Sequence, residues 1–275
     1  MEIVSDEPRE VLVSDLSDDV IDKARKLASA AHEGQVDKAG QPYITHPQRV
    51  AARAIAICND EAPQLADIAV PAAWLHDTLE DTTITVDGLR QLGFPEAVVQ
   101  TVDALTKKMR EPVDAYASRI VAVPAAIIVK RADLADNTDP ERLGLLDHDT
   151  RQRLEAKYAA FREVLGQALS ARGTVVLCDY RTPAIDIGVT AGLGDSGLML
   201  EGQDFGPNVQ RSWGDSDYEY WMRLSPIGAE QLRQHLGASD LLGRLGLDFT
   251  GPNGMRRLRD LCDGAGIAYR FTTYV

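Results

Sequence analysis

The sequence predicts an all-α helical bundle over residues 1–172, followed by a small α+β domain over residues 173–275. Three observations carry that prediction. Apolar residues recur at helical spacing from Ser17 to about Ser170. After Ala171-Arg172-Gly173 the texture becomes β-branched, aromatic and rich in glycine. A length of 275 residues accommodates one large core or two modest ones, since domains usually run ~100–200 residues.

The first helix is read from Val20, Ile21, Ala24, Leu27, Ala28 and Ala31, behind a cap at Ser17. After the loop GQVDKAGQPYITHP, Pro47 suits the first turn of a second helix carrying Val50, Ala51, Ala54 and Ile55. Proline fits there because its missing N–H would have no helical partner in any case. Pro71 is expected to open the helix bearing HDTLED in the same way. Pro95, Pro112 and Pro124 punctuate further helical segments, and RQRLEAKYAAFREVLGQALSA from Arg151 reads as a long closing helix. Beyond residue 173, TVVLCDY, GLMLEGQDFG and YEYWMRLS read as strands, PIGAEQLRQHLG and GPNGMRRLRDLCDGAG as helices, and AYRFTTYV as a final strand. Tyr218 and Tyr220 alternate with Glu219 and Trp221, as a half-buried strand requires. Core packing beside a solvated acidic turn is the default for that stretch. A surface for a protein partner is the alternative, since aromatic residues are enriched where proteins recognise one another.

Composition narrows the function. A hydrophobic fraction of 44% with 26% charged residues is ordinary for a soluble globular chain, and no apolar run approaches the ~20 residues of a membrane span. The opening MEIVSDEPREVLVSDL is acidic and lacks the features of a signal peptide, so a cytoplasmic protein is expected. Cys58, Cys178 and Cys262 are an odd, widely separated set without metal-ligand spacing, which suits core positions in a reducing compartment. A net charge of −13 repels a phosphate backbone, so general nucleic-acid binding is not expected. A small phosphorylated ligand is compatible with it where metal or local Lys and Arg residues offset the field.

The chemistry concentrates in AAWLHDTLEDTT, residues 72–83. Helical residues three and four apart share a face, so His76, Asp77, Glu80 and Asp81 are expected to look into one pocket. Carboxylates buried without partners are too costly to persist; they must be solvated, hydrogen-bonded or neutralised by metal. A single His-Asp pair is usually a solvated helix end. That reading weakens here because His46 in PYITHP and Asp133 in IIVKRADLADN, four residues ahead of Asn137, supply further ligand types. Imidazole with carboxylate suits manganese, iron or zinc better than calcium.

Together, His46, His76, Asp77 and Asp133 resemble the H…HD…D series of the HD metal-dependent phosphohydrolases. AHEGQVDKAGQPYITHP, LHDTLEDT and VKRADLADN further resemble the hydrolase motifs of RelA/SpoT homologues, particularly the stand-alone small alarmone hydrolases. The resemblance spans about residues 17–170. It implies an all-helical HD-domain bundle that removes the 3′-pyrophosphate of ppGpp or pppGpp, leaving GDP or GTP and pyrophosphate. It implies Mn2+ held by His46, His76, Asp77 and Asp133, with Glu80 and Asp81 positioning or deprotonating the attacking water. It assigns Lys38 and Lys107 to phosphates, Asn137 to the ribose, and Tyr158 to the base or sugar. No synthetase region is recognised, so only degradation is expected. The partners implied are a small-molecule nucleotide, no membrane, and a protein partner at the C-terminal domain if its aromatic stretch is a surface.

His32, in AHEGQ, is expected to be structural, and His148 and His235 fall outside any ligand pattern. Two positions depart from the resemblance. Asp37 stands before Lys38 where many relatives carry arginine, which removes a guanidinium that would stack on guanine. An Asp37 carboxylate would instead accept from an exocyclic amine, leaving an adenine alarmone such as pppApp, or another 3′-modified nucleotide or RNA end, open as substrate. Leu134 stands where Arg or Lys is frequent. A nucleotide sensor without turnover is the remaining alternative, and the intact Glu80 and Asp81 count against it.

Overall fold

The computed structural model describes residues 13–274; the first twelve residues of the acidic opening lie outside them. Helix α1 (Val13–Ala31) begins four residues ahead of the expected Ser17 cap. Its Ala24 and Ala28 are buried, and it packs on α3 (Ala66–Leu75). Helix α2 (Thr45–Glu61) carries Pro47 in its first turn as expected and buries Val50, Ala51, Ala54 and Cys58. Ile55, expected on the same stripe, is exposed.

Pro71 does not open the helix that bears HDTLED. It sits inside α3, because Ala66–Val70 add a full turn upstream, behind a 3-10 turn at Pro63–Leu65. The small buried side chains of Ala69, Ala72 and Ala73 let α3 run through the centre of the bundle, against α1, α2, α6 (Glu96–Leu105) and α8 (Pro124–Asn137). The helix stops at Leu75. His76 and Asp77 form a turn, and Thr78–Asp81 make the separate short helix α4. Helices α5 (Val86–Gln91), α7 (Val113–Val121) and α9 (Pro140–Leu143) complete the shell. The closing helix α10 (His148–Ser170) starts three residues before Arg151, where Asp147 accepts a capping hydrogen bond from the Thr150 N–H at 2.9 Å.

Strands β1 (Thr174–Arg181), β2 (Asp186–Gly194), β3 (Gly197–Phe205), β4 (Asp217–Leu224) and β5 (Arg270–Tyr274) form an antiparallel meander in sequence order. Helices α11 (Pro207–Trp213), α12 (Pro226–His235), α13 (Leu241–Asp248) and α14 (Gly254–Ala265) accompany it. Leu198, Leu200, Met222 and Leu224 of the sheet share a core with Leu232, Leu245 and Leu258 of α12, α13 and α14. Tyr220 is buried and Trp221 half-buried, as the alternation predicts. The fold is therefore an all-α bundle followed by a small α+β unit, the class the sequence predicts.

The two parts pack closely. Gly166 of α10 meets Gly243 of α13, where a β-carbon on Gly243 would come within 2.3 Å of the Gly166 carbonyl oxygen. Glu61, at the end of α2, accepts from both Arg131 of α8 and, at 2.6 Å, from the Thr250 hydroxyl beyond α13. Among the described residues no helix is long and apolar enough to cross a membrane. Cys58, Cys178 and Cys262 are free and buried, in keeping with core positions.

Candidate metal centre

Three segments bring the chemistry together: the first turn of α2 supplies His46, the break after α3 supplies His76 and Asp77, and the middle of α8 supplies Asp133. His46, His76 and Asp133 are buried, and ligand atoms from all three lie within 4.8 Å of one another. His46 Nε2 stands 3.3 Å from Asp133 Oδ1 and 3.5 Å from Asp77 Oδ2. His76 Nε2 stands 3.1 Å from Asp77 Oδ2 and 3.8 Å from Asp133 Oδ1.

These separations match the edges of a coordination polyhedron. With ligand distances of about 2.1 Å, adjacent donors lie about 3.0 Å apart in an octahedron and about 3.4 Å apart in a tetrahedron. Ring orientation gives a second test. His76 Nδ1 lies 2.8 Å from the Ala73 carbonyl oxygen, which can only accept, so Nδ1 carries the proton. His46 Nδ1 lies 2.7 Å from Asp136 Oδ2 and donates to that carboxylate. With Nδ1 donating on each ring, the two Nε2 atoms face each other across 3.3 Å, where either a proton or a cation must lie between them. Two bare lone pairs at that distance would repel, and either one removes the repulsion. Burial opposes charge on His46, yet Asp133 and Asp136 push it up to about 9, so the pocket calls for positive charge. The donor set and its spacing fit a divalent metal ion.

The remaining expected residues divide. Glu80 lines the cavity wall, and its Oε1 accepts from the Lys107 N–H. Asp81 is absent from that lining; its Oδ2 accepts from the Tyr43 hydroxyl at 3.2 Å. Lys38, Lys107, Asn137 and Tyr158 all line the same cavity of about 880 Å³, a volume in the range of small-molecule sites. Asn137 Nδ2 donates to Asp133 Oδ1, so its side chain is already engaged at the metal ligand. His32 packs its ring 4.9 Å from that of Tyr43 and bonds Gln35 at 2.8 Å, a structural position as expected.

Asp37 also lines the cavity. Its Oδ1 accepts from the Ala39 and Gln41 N–H groups, each at 2.9 Å, and its Oδ2 faces Arg142 at 3.4 Å. The carboxylate thus organises its own loop at the cavity wall. Arg142, in turn, brings a guanidinium to the cavity wall from α9.

Sequence reasoning missed five contributors. Tyr43, three residues before His46, donates to Asp77 Oδ2 at 2.6 Å and so holds that ligand. Lys130, three residues before Asp133, donates to Asp133 Oδ2 at 2.8 Å. Its ammonium lies 5.2 Å from the centre of the Phe161 ring and 5.7 Å from that of Tyr116. Asp136, Arg49 and Arg142 form a buried ion network behind His46. The i±3 spacing from named ligands was the available signal for Tyr43, Arg49, Lys130 and Asp136; nothing local marks Arg142.

The pocket lies in the helical part of the chain, ahead of the α+β unit. No protein-family model matches the chain. Over 137 residues, 46% of this chain and 19% of the relative, it is 36% identical to guanosine-3′,5′-bis(diphosphate) 3′-pyrophosphohydrolase of Haemophilus influenzae. Over 151 residues, 50% of this chain and 20% of the relative, it is 36% identical to the bifunctional (p)ppGpp synthase/hydrolase SpoT of Escherichia coli. The chain thus spans about a fifth of the length of these curated relatives. A solved metazoan ortholog of SpoT aligns with 56% of this chain and 96% of its own at 19% identity and a TM-score of 0.41. About half of the chain is similar to proteins named as SpoT or as 3′-pyrophosphohydrolases.

Proposed function

We propose that this protein hydrolyses the 3′-pyrophosphate of ppGpp and pppGpp, with Mn2+ held by His46, His76, Asp77 and Asp133. The observation that carries the reading is the meeting of His46, His76 and Asp133 with ligand atoms within 4.8 Å of one another, beside an Asp77 Oδ2 that lies 3.5 and 3.1 Å from the two Nε2 atoms. Similarity over half the chain to proteins named for this activity supports it. The helical unit, to about residue 172, holds the chemistry, and residues 173–275 form an accessory unit.

Held by these residues, a divalent ion would lower the pKa of a water molecule and draw charge from the phosphoryl oxygens. Water adds to the phosphorus attached to ribose O3′, the P–O3′ bond breaks, and O3′ takes up a proton, giving GDP or GTP and pyrophosphate. In this reading Glu80 takes the proton of the attacking water; partial burial raises its carboxyl, which supports it as a base. The Lys107 N–H on Oε1 fixes the direction of that carboxylate. Asp81 serves the reaction through Tyr43, whose hydroxyl bridges Asp81 and the ligand Asp77. Lys38, Lys107 and Lys157 line the cavity and form no ion pair with other described residues. In a chain of net charge −13 such free ammonium groups suit the phosphates of a nucleotide.

Chromatography of ppGpp incubated with the full chain and Mn2+ tests the reading. GDP and pyrophosphate in equal amounts are expected, and Asp77→Ala and Glu80→Ala are expected to abolish them. Tight ppGpp binding without turnover in the wild type would favour a sensor instead.

A further inference from the structure

Asp136 lies three residues beyond Asp133 on α8 and is fully shielded from solvent. A carboxylate in that position persists only if both oxygens are paired. Oδ2 accepts from His46 Nδ1 at 2.7 Å and from Arg142 Nη1, and Oδ1 accepts from Arg49 Nε at 2.7 Å. The i, i+3 relation puts Asp133 and Asp136 on one face of α8. His46 is consequently held from both sides by the same helix, with Asp133 Oδ1 3.3 Å from Nε2 and Asp136 Oδ2 behind Nδ1.

We propose that Asp136 is a positioning residue for metal ligation, holding His46 in the tautomer that leaves Nε2 bare for the ion, while hydrogen bonds from Arg49 and Arg142 fix its orientation. This inference rests on the metal reading above. It makes the two histidines unequal. His76 Nδ1 donates to a neutral backbone carbonyl, whereas His46 donates to an anion, so His46 is the stronger electron donor. An ion network that merely fastened α2 to α8 would leave tautomer and donor strength untouched.

Two measurements on the full chain test this, with Zn2+ as a diamagnetic probe and then Mn2+. In the Zn2+-loaded wild type, long-range 1H–15N correlation of the imidazoles is expected to show metal at Nε2 of both rings. It is also expected to show a protonated Nδ1 on each, the His46 proton further downfield than that of His76. Ligation of His46 through Nδ1, or an unprotonated Nδ1, overturns the proposal even if every Asp136 variant fails to fold. In Asp136→Asn, competition with a chromogenic chelator is expected to show Mn2+ and Zn2+ affinity about 10–100-fold weaker. Equal affinity in folded Asp136→Asn overturns the role of Asp136 alone. A wild type that binds neither ion overturns the metal reading, and this proposal with it.

Discussion

The Nε2 atoms of His46 and His76 face each other across 3.3 Å, while both Nδ1 atoms donate outward, to Asp136 and to the Ala73 carbonyl. On the proposed metal reading, removing either ring, or the Asp133 carboxylate beside them, takes away a direct ligand. His76→Ala and Asp133→Ala are therefore expected to weaken Mn2+ binding by more than the ~10–100-fold that loss of an outer partner costs. Isothermal titration calorimetry on the full chain checks this, and unchanged affinity in either variant would count against the site.

On the proposed reading, Glu80 serves proton transfer and not ligation. Glu80→Gln is expected to lower kcat by ~10²–10⁴-fold, the usual contribution of a positioned base, with Mn2+ affinity unchanged. Burial, aided by Asp77 and opposed by the Lys107 N–H, holds the Glu80 carboxyl above its ordinary value of 4.5. A base works ionised, so kcat at saturating Mn2+ is expected to fall as the pH drops through that raised value. The acid limb should lie above 4.5 and vanish in Glu80→Gln. A pH profile of kcat for both proteins reads the difference.

The contact between the bundle and the accessory unit is electrostatic at Glu61. Burial alone would raise its carboxyl, but hydrogen bonds and charge from Arg131, with help from Thr250, hold it below 4.5. A depressed carboxylate stabilises the fold above its unfolded value, and that contribution is lost as the pH falls through the folded value. Arg131→Ala, which leaves Glu61 half-buried with only Thr250 and the weaker pull of Arg257, is expected to cost roughly 2–3 kcal/mol at pH 7. Below pH 4.5 the gap between variant and wild type should narrow. Urea denaturation at the two pH values measures both effects.

Gly166 and Gly243 make an asymmetric pair. A β-carbon on Gly243 would stand 2.3 Å from the Gly166 carbonyl oxygen, whereas one on Gly166 would meet Gly243 at 3.4 Å, an ordinary contact. Gly243→Ala is expected to push α10 and α13 apart and cost ~1–3 kcal/mol, with Gly166→Ala close to neutral. Thermal unfolding of the two variants should show a lower midpoint for Gly243→Ala alone.

Much of this arrangement is legible along the chain, and the gaps have physical causes. Helical spacing marks α1, α2 and α10, and proline marks the starts of α6, α7 and α8, because those signals are local. Strand β2 escapes because Gly188, Gly192 and Gly194 dilute its β-branched residues, and α13 because Gly243 and Gly246 dilute its leucines. The break after Leu75 escapes because an apolar run continues smoothly into His76; only the packed structure shows the Ala73 carbonyl taken by the imidazole. The partners of the expected residues are hardest to see. Arg142 reaches Asp136 and Asp37 through a chain reversal at α9, and residues that meet through a reversal share no spacing in sequence.

The central claim is that His46, His76, Asp77 and Asp133 surround one divalent ion. Anomalous diffraction at the manganese edge, from crystals of the full chain grown with Mn2+, tests it most directly. A single peak roughly 2.0–2.3 Å from both Nε2 atoms and from a carboxylate oxygen of each aspartate is predicted. A peak elsewhere, or none between the two imidazoles, would contradict it.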